Sequence, residues 1–130
     1  MKKKLQTMIV SQSASWQRIL FEHLSSFISV EVVDVVNGCL SAAQRIKKDY
    51  PDLLVIDCTV SGDDIRALVK HVNSVNSKTM TMVIADTYEQ KREFNRCGAD
   101  FVVSSFSYEL EIEEVLNEIK VKQENCSESV

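Results

Sequence analysis

The chain has 130 residues, 45% hydrophobic and 26% charged, with 15 lysines and arginines against 19 aspartates and glutamates. That length and apolar content suit one compact domain with a real core, and the net charge of −4 lacks the broad basic face that nucleic-acid binding requires. The longest apolar runs are of the "LLVI" kind, far short of the roughly 20 residues that cross a bilayer, and the charged start "MKKKLQTMIV" meets polar residues too soon for a signal peptide, so a cytoplasmic protein is expected.

"LQTMIVS" (5–11) is a short β-branched apolar run and reads as the first strand. Trp16, Ile19, Leu20, Leu24 and Phe27 then recur with helical spacing. "VEVVDV" (30–35) reads as the second strand, followed by a helix over Leu40–Lys48, and "LLVID" (53–57) as the third strand, ending in Asp57. "SGDD" at Ser61 has a hydroxyl residue followed three later by an acid, a helix-start signal. Ile65, Leu68, Val69, Val72 and Val75 supply the apolar face of the helix it opens. "TMVIA" (81–85) reads as the fourth strand, "TYEQ" at Thr87 repeats the capping pattern before a helix over Tyr88–Arg96, and Gly98 of "CGAD" ends that helix. "DFVV" (100–103) reads as the fifth strand. An amphipathic helix follows from Tyr108 to about Lys122, with Leu110, Ile112, Val115, Leu116 and Ile119 set among five glutamates. The polar "VKQENCSESV" (121–130) is expected to be a frayed tail or linker stub, which divides the chain into a domain over 1–121 and a tail over 122–130.

Strict alternation of strand and helix implies parallel strands joined by right-handed crossovers, with helices on both faces: a doubly wound α/β fold. The working crevice of such a sheet lies at the carboxyl ends of its strands. Ser11, Asp57, Ala85 and Ser104 end strands one, three, four and five and are expected to cluster there. An isolated acid at a strand end would by default only cap a turn.

Other chemistry finds little support. Cys39, Cys58, Cys97 and Cys126 form no CxxC pair, which argues for reduced thiols rather than zinc or a dithiol. Cys58 as a nucleophile is disfavoured because the neighbouring Asp57 pushes its thiol pKa upward. His23 falls on the apolar side of the first helix and His71 near the exposed side of the third, and neither has ligand-spaced partners. A small flavin- or nucleotide-binding protein would need a phosphate cradle, yet the three glycines make no GxGxxG and only "SQSAS" offers hydroxyls.

From about residue 5 to 121 the layout resembles the receiver domain of bacterial response regulators, the flavodoxin-like module that accepts phosphate from a histidine kinase. "PDLLVIDCTVSGDDI" resembles the family's third strand with its terminal phosphoacceptor, "NG" at Asn37 and Gly38 fits the turn after strand two, and "GADFVV" resembles the start of strand five. The resemblance implies a five-stranded parallel sheet in the order 2-1-3-4-5, with Asp57 at the phosphoacceptor position and Phe101 as the switch aromatic.

Where the family has two acids after strand one, this chain has Ser11 and Gln12. The family's hydroxyl residue after strand four falls on Ala85 or Ile84, with Thr87 just beyond, and its Lys-Pro after strand five on Ser104 and Ser105. Asp57 is left as the one, weak candidate for a metal, since Mg²⁺ gives up water reluctantly and a lone carboxylate offers little charge to hold it.

The expected function is therefore a receiver-like module of a two-component phosphorelay, a pseudo-receiver acting through protein contacts with weak or absent Mg²⁺-dependent phosphorylation. The alternative is an active receiver phosphorylated on Asp57 by a cognate kinase, and only then is Mg²⁺ expected. No enzymatic activity and no other cofactor are expected. Tyr88, Phe94, Phe106 and Tyr108 cluster around helix four, strand five and helix five and mark a candidate contact face, through which the chain would meet a kinase, an output domain or a second copy. About half of them are expected only to pack the helices onto the sheet, and no sequence signal divides the two groups.

Overall fold

A computed structural model describes residues 4–57, 59–75 and 78–128, without the side chains of residues 49 and 125–128. Its elements in order are β1 (Leu5–Val10), α1 (Ala14–Ser25), β2 (Val30–Val36), α2 (Cys39–Asp49), β3 (Leu53–Asp57), α3 (Gly62–Val75), β4 (Met80–Ala85), α4 (Tyr88–Arg96), β5 (Phe101–Ser104), a 3₁₀ turn over Ser105–Ser107, and α5 (Tyr108–Glu128). The five strands form one sheet in the order β2-β1-β3-β4-β5, every pairing parallel. The doubly wound flavodoxin-like fold expected from the sequence is the fold observed.

β3 is buried along its whole length because both faces of a parallel sheet are covered, which is why it reads as a continuous apolar run rather than an alternation. Successive side chains go to opposite layers. Met8, Leu54, Ile56 and Val83 pack with residues of α2, α3 and α4, while Ile9, Leu53, Val55 and Ile84 pack with residues of α1 and α5.

Local chemistry sets the helix ends. The hydroxyls of Ser13, Ser61 and Thr87 accept from the backbone N–H of Trp16 (3.2 Å), Asp64 (3.4 Å) and Gln90 (3.1 Å), satisfying donors that a first turn leaves open. α4 stops in a Schellman motif: Ala99 N donates to the Phe94 carbonyl at 3.2 Å and Gly98 N to that of Asn95 at 3.3 Å, with Gly98 at φ +102°. A Cβ there would also lie 3.0 Å from Asn73 Nδ2. Gly98→Ala is therefore expected to destabilise the fold by about 1–2 kcal/mol, read as a lower urea midpoint with an unchanged slope.

Two features differ from the sequence-based expectation. α5 continues to Glu128 instead of ending near Lys122. Polarity there marks exposure and not loss of helix, since Gln123 and Glu124 are good helix formers and Lys122 pairs with Glu118 one turn back at 3.8 Å. In β2 the pairing with β1 jumps from Thr7–Val32 to Met8–Asp34, so Val33 has no partner residue and forms a bulge.

The thiols of Cys58 and Cys126 lie outside the described residues. Cys39 and Cys97 are free and half-buried, and burial, helped by Asp64, pushes the Cys39 thiol up to about 11. Among the described residues, no helix is long and apolar enough to cross a membrane.

Candidate functional site

β3 delivers Asp57 to the carboxyl edge of the sheet, fully buried. Its Oδ1 accepts from the backbone N–H of Thr59 at 2.5 Å, the Asx-turn geometry open to an aspartate two residues before a free N–H. Its Oδ2 is buried with no hydrogen-bond partner, a condition that costs about 1–3 kcal/mol. The aspartates at the opposite edge are better provided for: Asp52 Oδ2 accepts from Gln6 N and Asp100 Oδ2 from Thr81 N, each at 2.8 Å.

The parallel register brings the expected strand ends together. Val10 pairs with Ile56, Asp57 with Ile84, and Ala85 with Ser104. Ser11, buried just past β1, is occupied with its own turn. Its hydroxyl donates to the Ser13 carbonyl at 3.2 Å and accepts from Ser13 N at 3.1 Å, while its carbonyl accepts from Gln17 Nε2 at 2.8 Å. The hydroxyls of "SQSAS" thus shape a turn and cap α1. Gln12 is exposed, and its backbone N–H donates to Thr59 Oγ1 at 3.1 Å.

At the end of β4, Ile84 belongs to the layer beneath α1 and α5 and Ala85 to the layer beneath α2–α4, and neither supplies a hydroxyl. The next residue, Asp86, accepts from Ser105 Oγ at 2.6 Å and donates its N–H to Gln90 Oε1 at 2.8 Å. Ser104 N donates to Glu111 Oε1 at 3.2 Å, Ser107 Oγ donates to the other oxygen of Glu111, and Lys91 Nζ stands 3.8 Å from Oε1. A serine–carboxylate web thus occupies the segments where the family has a hydroxyl and a lysine. Sequence reasoning missed Thr59, Asp86 and Glu111. Only the Asp-x-Thr spacing of the Asx-turn offered a signal.

Phe101 starts β5, half-buried, with Lys122 Nζ 5.7 Å from its ring centroid. Burial divides the four aromatics expected on one face. Tyr88 (74% exposed) and Phe106 (88%) are open to solvent, whereas Phe94 (1%) is part of the core. Phe94 thus falls among the aromatics that pack the helices onto the sheet and not on the contact face, because it is the one buried side chain of α4. Tyr108 is turned toward α1, with its ring edge-on to Trp16 at 5.3 Å and to His23 at 5.7 Å. His23 Nε2 lies within hydrogen-bonding distance of the Glu109 carbonyl, 3.2 Å. His71 is half-buried with its Nε2 enclosed and unpartnered, not exposed as its helical position suggested.

Among the described residues, no group of three or more His, Cys, Asp or Glu side chains is placed to hold a metal ion. Mg²⁺ keeps several waters in a near-octahedral set and is ordinarily held through one or two carboxylates. Positions 11, 12, 57, 84, 85 and 104 contain one acid between them, Asp57.

No family model matches the chain. A 57-residue stretch, 44% of the chain, is 39% identical to the protein-glutamate methylesterase/protein-glutamine glutaminase 2 of Dechloromonas aromatica (strain RCB), and it spans only 16% of that protein's length. Among solved structures, the signal receiver domain of the response regulator NarL from Mycobacterium tuberculosis superimposes with a TM-score of 0.79 at 21% identity, over 91% of this chain and 97% of that one. The isolated receiver domain of RcsB from Salmonella enterica serovar Typhimurium, in the presence of phosphomimetic BeF₃⁻, gives 0.79 at 12% identity, over 91% and 89%. The RcsB response regulator of Salmonella typhimurium gives 0.81 at 12%, over 93% of this chain and 62% of that one. The chain therefore has the receiver-domain fold of response regulators, with an aspartate closing its central strand.

Proposed function

We propose that the chain is a receiver-type signalling module of a two-component phosphorelay that acts through protein contacts, with weak or absent Mg²⁺-dependent phosphorylation of Asp57. The observation that carries this reading is the company Asp57 keeps: a backbone N–H on Oδ1 and the neutral Ser11, Gln12 and Ser104 at the positions where the family has acids and a lysine. Phosphoryl transfer depends on positioning and on neutralising the equatorial oxygens, ordinarily with metal and lysine. Losing the acids also removes the like-charge repulsion of a metal-free acidic site. The exposed Tyr88 and Phe106, with Leu110 also exposed, support helix four, strand five and helix five as the contact face for a kinase, an output domain or a second copy. The esterase named for the D. aromatica relative stays with that protein.

Incubation with Mg²⁺ and a small phosphodonor is expected to leave the intact mass unchanged. A stoichiometric phosphoryl adduct, lost in Asp57→Ala, would overturn the reading. The retained Asp57 and Phe101 favour a second reading, in which a cognate kinase supplies the missing charge. That reading requires transfer to Asp57 from a kinase where small donors fail.

A further inference from the structure

β5 is the last strand of the sheet, beside β4. Its Ser104 N–H points off the free side, where Glu111 Oε1 accepts it at 3.2 Å. N–H groups alternate in direction along a strand, so the N–H and C=O of Val102 face the same free side. A groove of about 360 Å³ runs along this edge. Both Val102 and Val103 line it, although they belong to opposite layers, so the groove opens onto the edge of the strand and not onto one face of the sheet. Its charged lining is Asp100, Glu111, Glu114 and Glu118 against Lys122, four carboxylates to one ammonium. Asp100 is engaged by Thr81, and Glu111 by Ser104, Ser107 and Lys91. Glu114 is exposed and makes no ion pair among the described residues. Lys122 Nζ stands 3.8 Å from Glu118 and 5.7 Å from the Phe101 ring centroid, so the groove already holds one cation between an aromatic face and a carboxylate. A row of acids on a helix is ordinarily a solvated face, but this row borders main-chain groups that a second chain can satisfy.

We propose that the groove along β5 takes an extended, lysine- or arginine-bearing segment of a partner protein, which pairs its main chain with Val102 and sets its cations beside Glu114 and Glu118. The proposal rests on the receiver-type reading only in taking helix four, strand five and helix five as the contact face. It gives that face a chemistry, with main-chain hydrogen bonds for the hold and alternate side chains for the choice. Every second side chain of an extended segment falls about 7 Å from the last, and one turn of α5 from Glu114 to Glu118 rises about 6 Å. Two cations from one side of the segment therefore match both acids, whereas an acidic segment would meet like charge.

Titration with an acetylated, amidated hexapeptide of alternating valine and lysine tests it, read from the amide chemical shifts of the protein at low salt, without Mg²⁺ or phosphodonor. Saturable shifts centred on Val102 and Ser104, and on Glu114 through Lys122, are expected. The valine–glutamate counterpart is expected to leave those amides in place. The lysine peptide with every amide N-methylated keeps its charge and loses its donors, and is expected to bind about tenfold more weakly, the effect of losing one or two net hydrogen bonds. Glu114→Lys is expected to weaken binding about fivefold more than Glu113→Lys, which makes the same change of charge at an exposed position of α5 outside the groove.

Unmoved β5 amides overturn the proposal. Equal binding of the N-methylated peptide, or equal effects of Glu114→Lys and Glu113→Lys, overturns it as well, by reducing the contact to general attraction between opposite charges. Movement of the same amides when the protein alone is concentrated assigns the groove to a second copy and likewise overturns it. β4 separates the strand of Asp57 from β5, and Asp57 takes no part in the readout. A phosphoryl adduct in the mass experiment would sink the pseudo-receiver reading and leave the groove result standing, whereas a silent groove would remove this occupant and leave the reading of Asp57 as it is.

Discussion

Replacing Ser11 and Gln12 together with aspartate is expected to make the stability of this fold depend on Mg²⁺, which the wild type is expected not to do. Position 11 is fully buried and follows Val10, whose register partner Ile56 precedes Asp57. A carboxylate there enters beside another that already has an unpartnered oxygen. At an effective dielectric of about 20, two unit charges about 5 Å apart repel by about 3 kcal/mol. The Ser11 hydroxyl bonds that shape the turn into α1 are lost as well. In chelator the double variant should therefore unfold at markedly lower urea. A divalent ion that binds only the folded state restores stability by mass action, by about 2.7 kcal/mol at a hundredfold excess over its dissociation constant. Paired urea curves in chelator and in millimolar Mg²⁺ provide the measurement. A double variant indifferent to Mg²⁺ would show that the missing acids are not what separates this site from metal chemistry.

Phe94→Ala is expected to cost about 3–5 kcal/mol, a large share of the roughly 5–15 kcal/mol that holds a domain together. α4 has nine residues, and Phe94 is the one it buries, so truncation leaves a cavity in the core layer and frees the helix from the sheet. Tyr88→Ala and Phe106→Ala, at exposed sites, should each stay within about 0.5 kcal/mol. The same three variants separate folding from contact. Loss of partner binding in Tyr88→Ala or Phe106→Ala with an unchanged urea midpoint marks the face itself, whereas Phe94→Ala should weaken binding only as it unfolds α4.

The architecture was legible because its signals are local and periodic. "LLVID" could be a strand buried on both faces, and "TYEQ" and "CGAD" bracket α4 with cap chemistry that the backbone then adopts. Asp57 was legible as a strand end, and the parallel register then sets Ile84 beside it and Ala85 opposite Ser104. The contacts around it were not. Thr59 to Gln12 and Ser105 to Asp86 join segments whose approach depends on loop paths that no sequence period encodes. Phe94 and Tyr88 are both aromatics on one short charged helix, and only the docking of that helix on the sheet decides which is covered. The C-terminal end of α5 was misread because polarity was taken for an end signal, when neither glycine nor proline stands there to stop it.

Val33 has a consequence for how molecules of this protein meet one another. β2 is an outer strand, and its outward row of N–H and C=O groups could template a strand from another molecule. The extra residue kinks that row midway and leaves a valine 39% exposed between charged neighbours at positions 31 and 34. An incoming strand would lose register halfway along, which makes edge-to-edge growth into fibrils unfavourable even in a crowded cell.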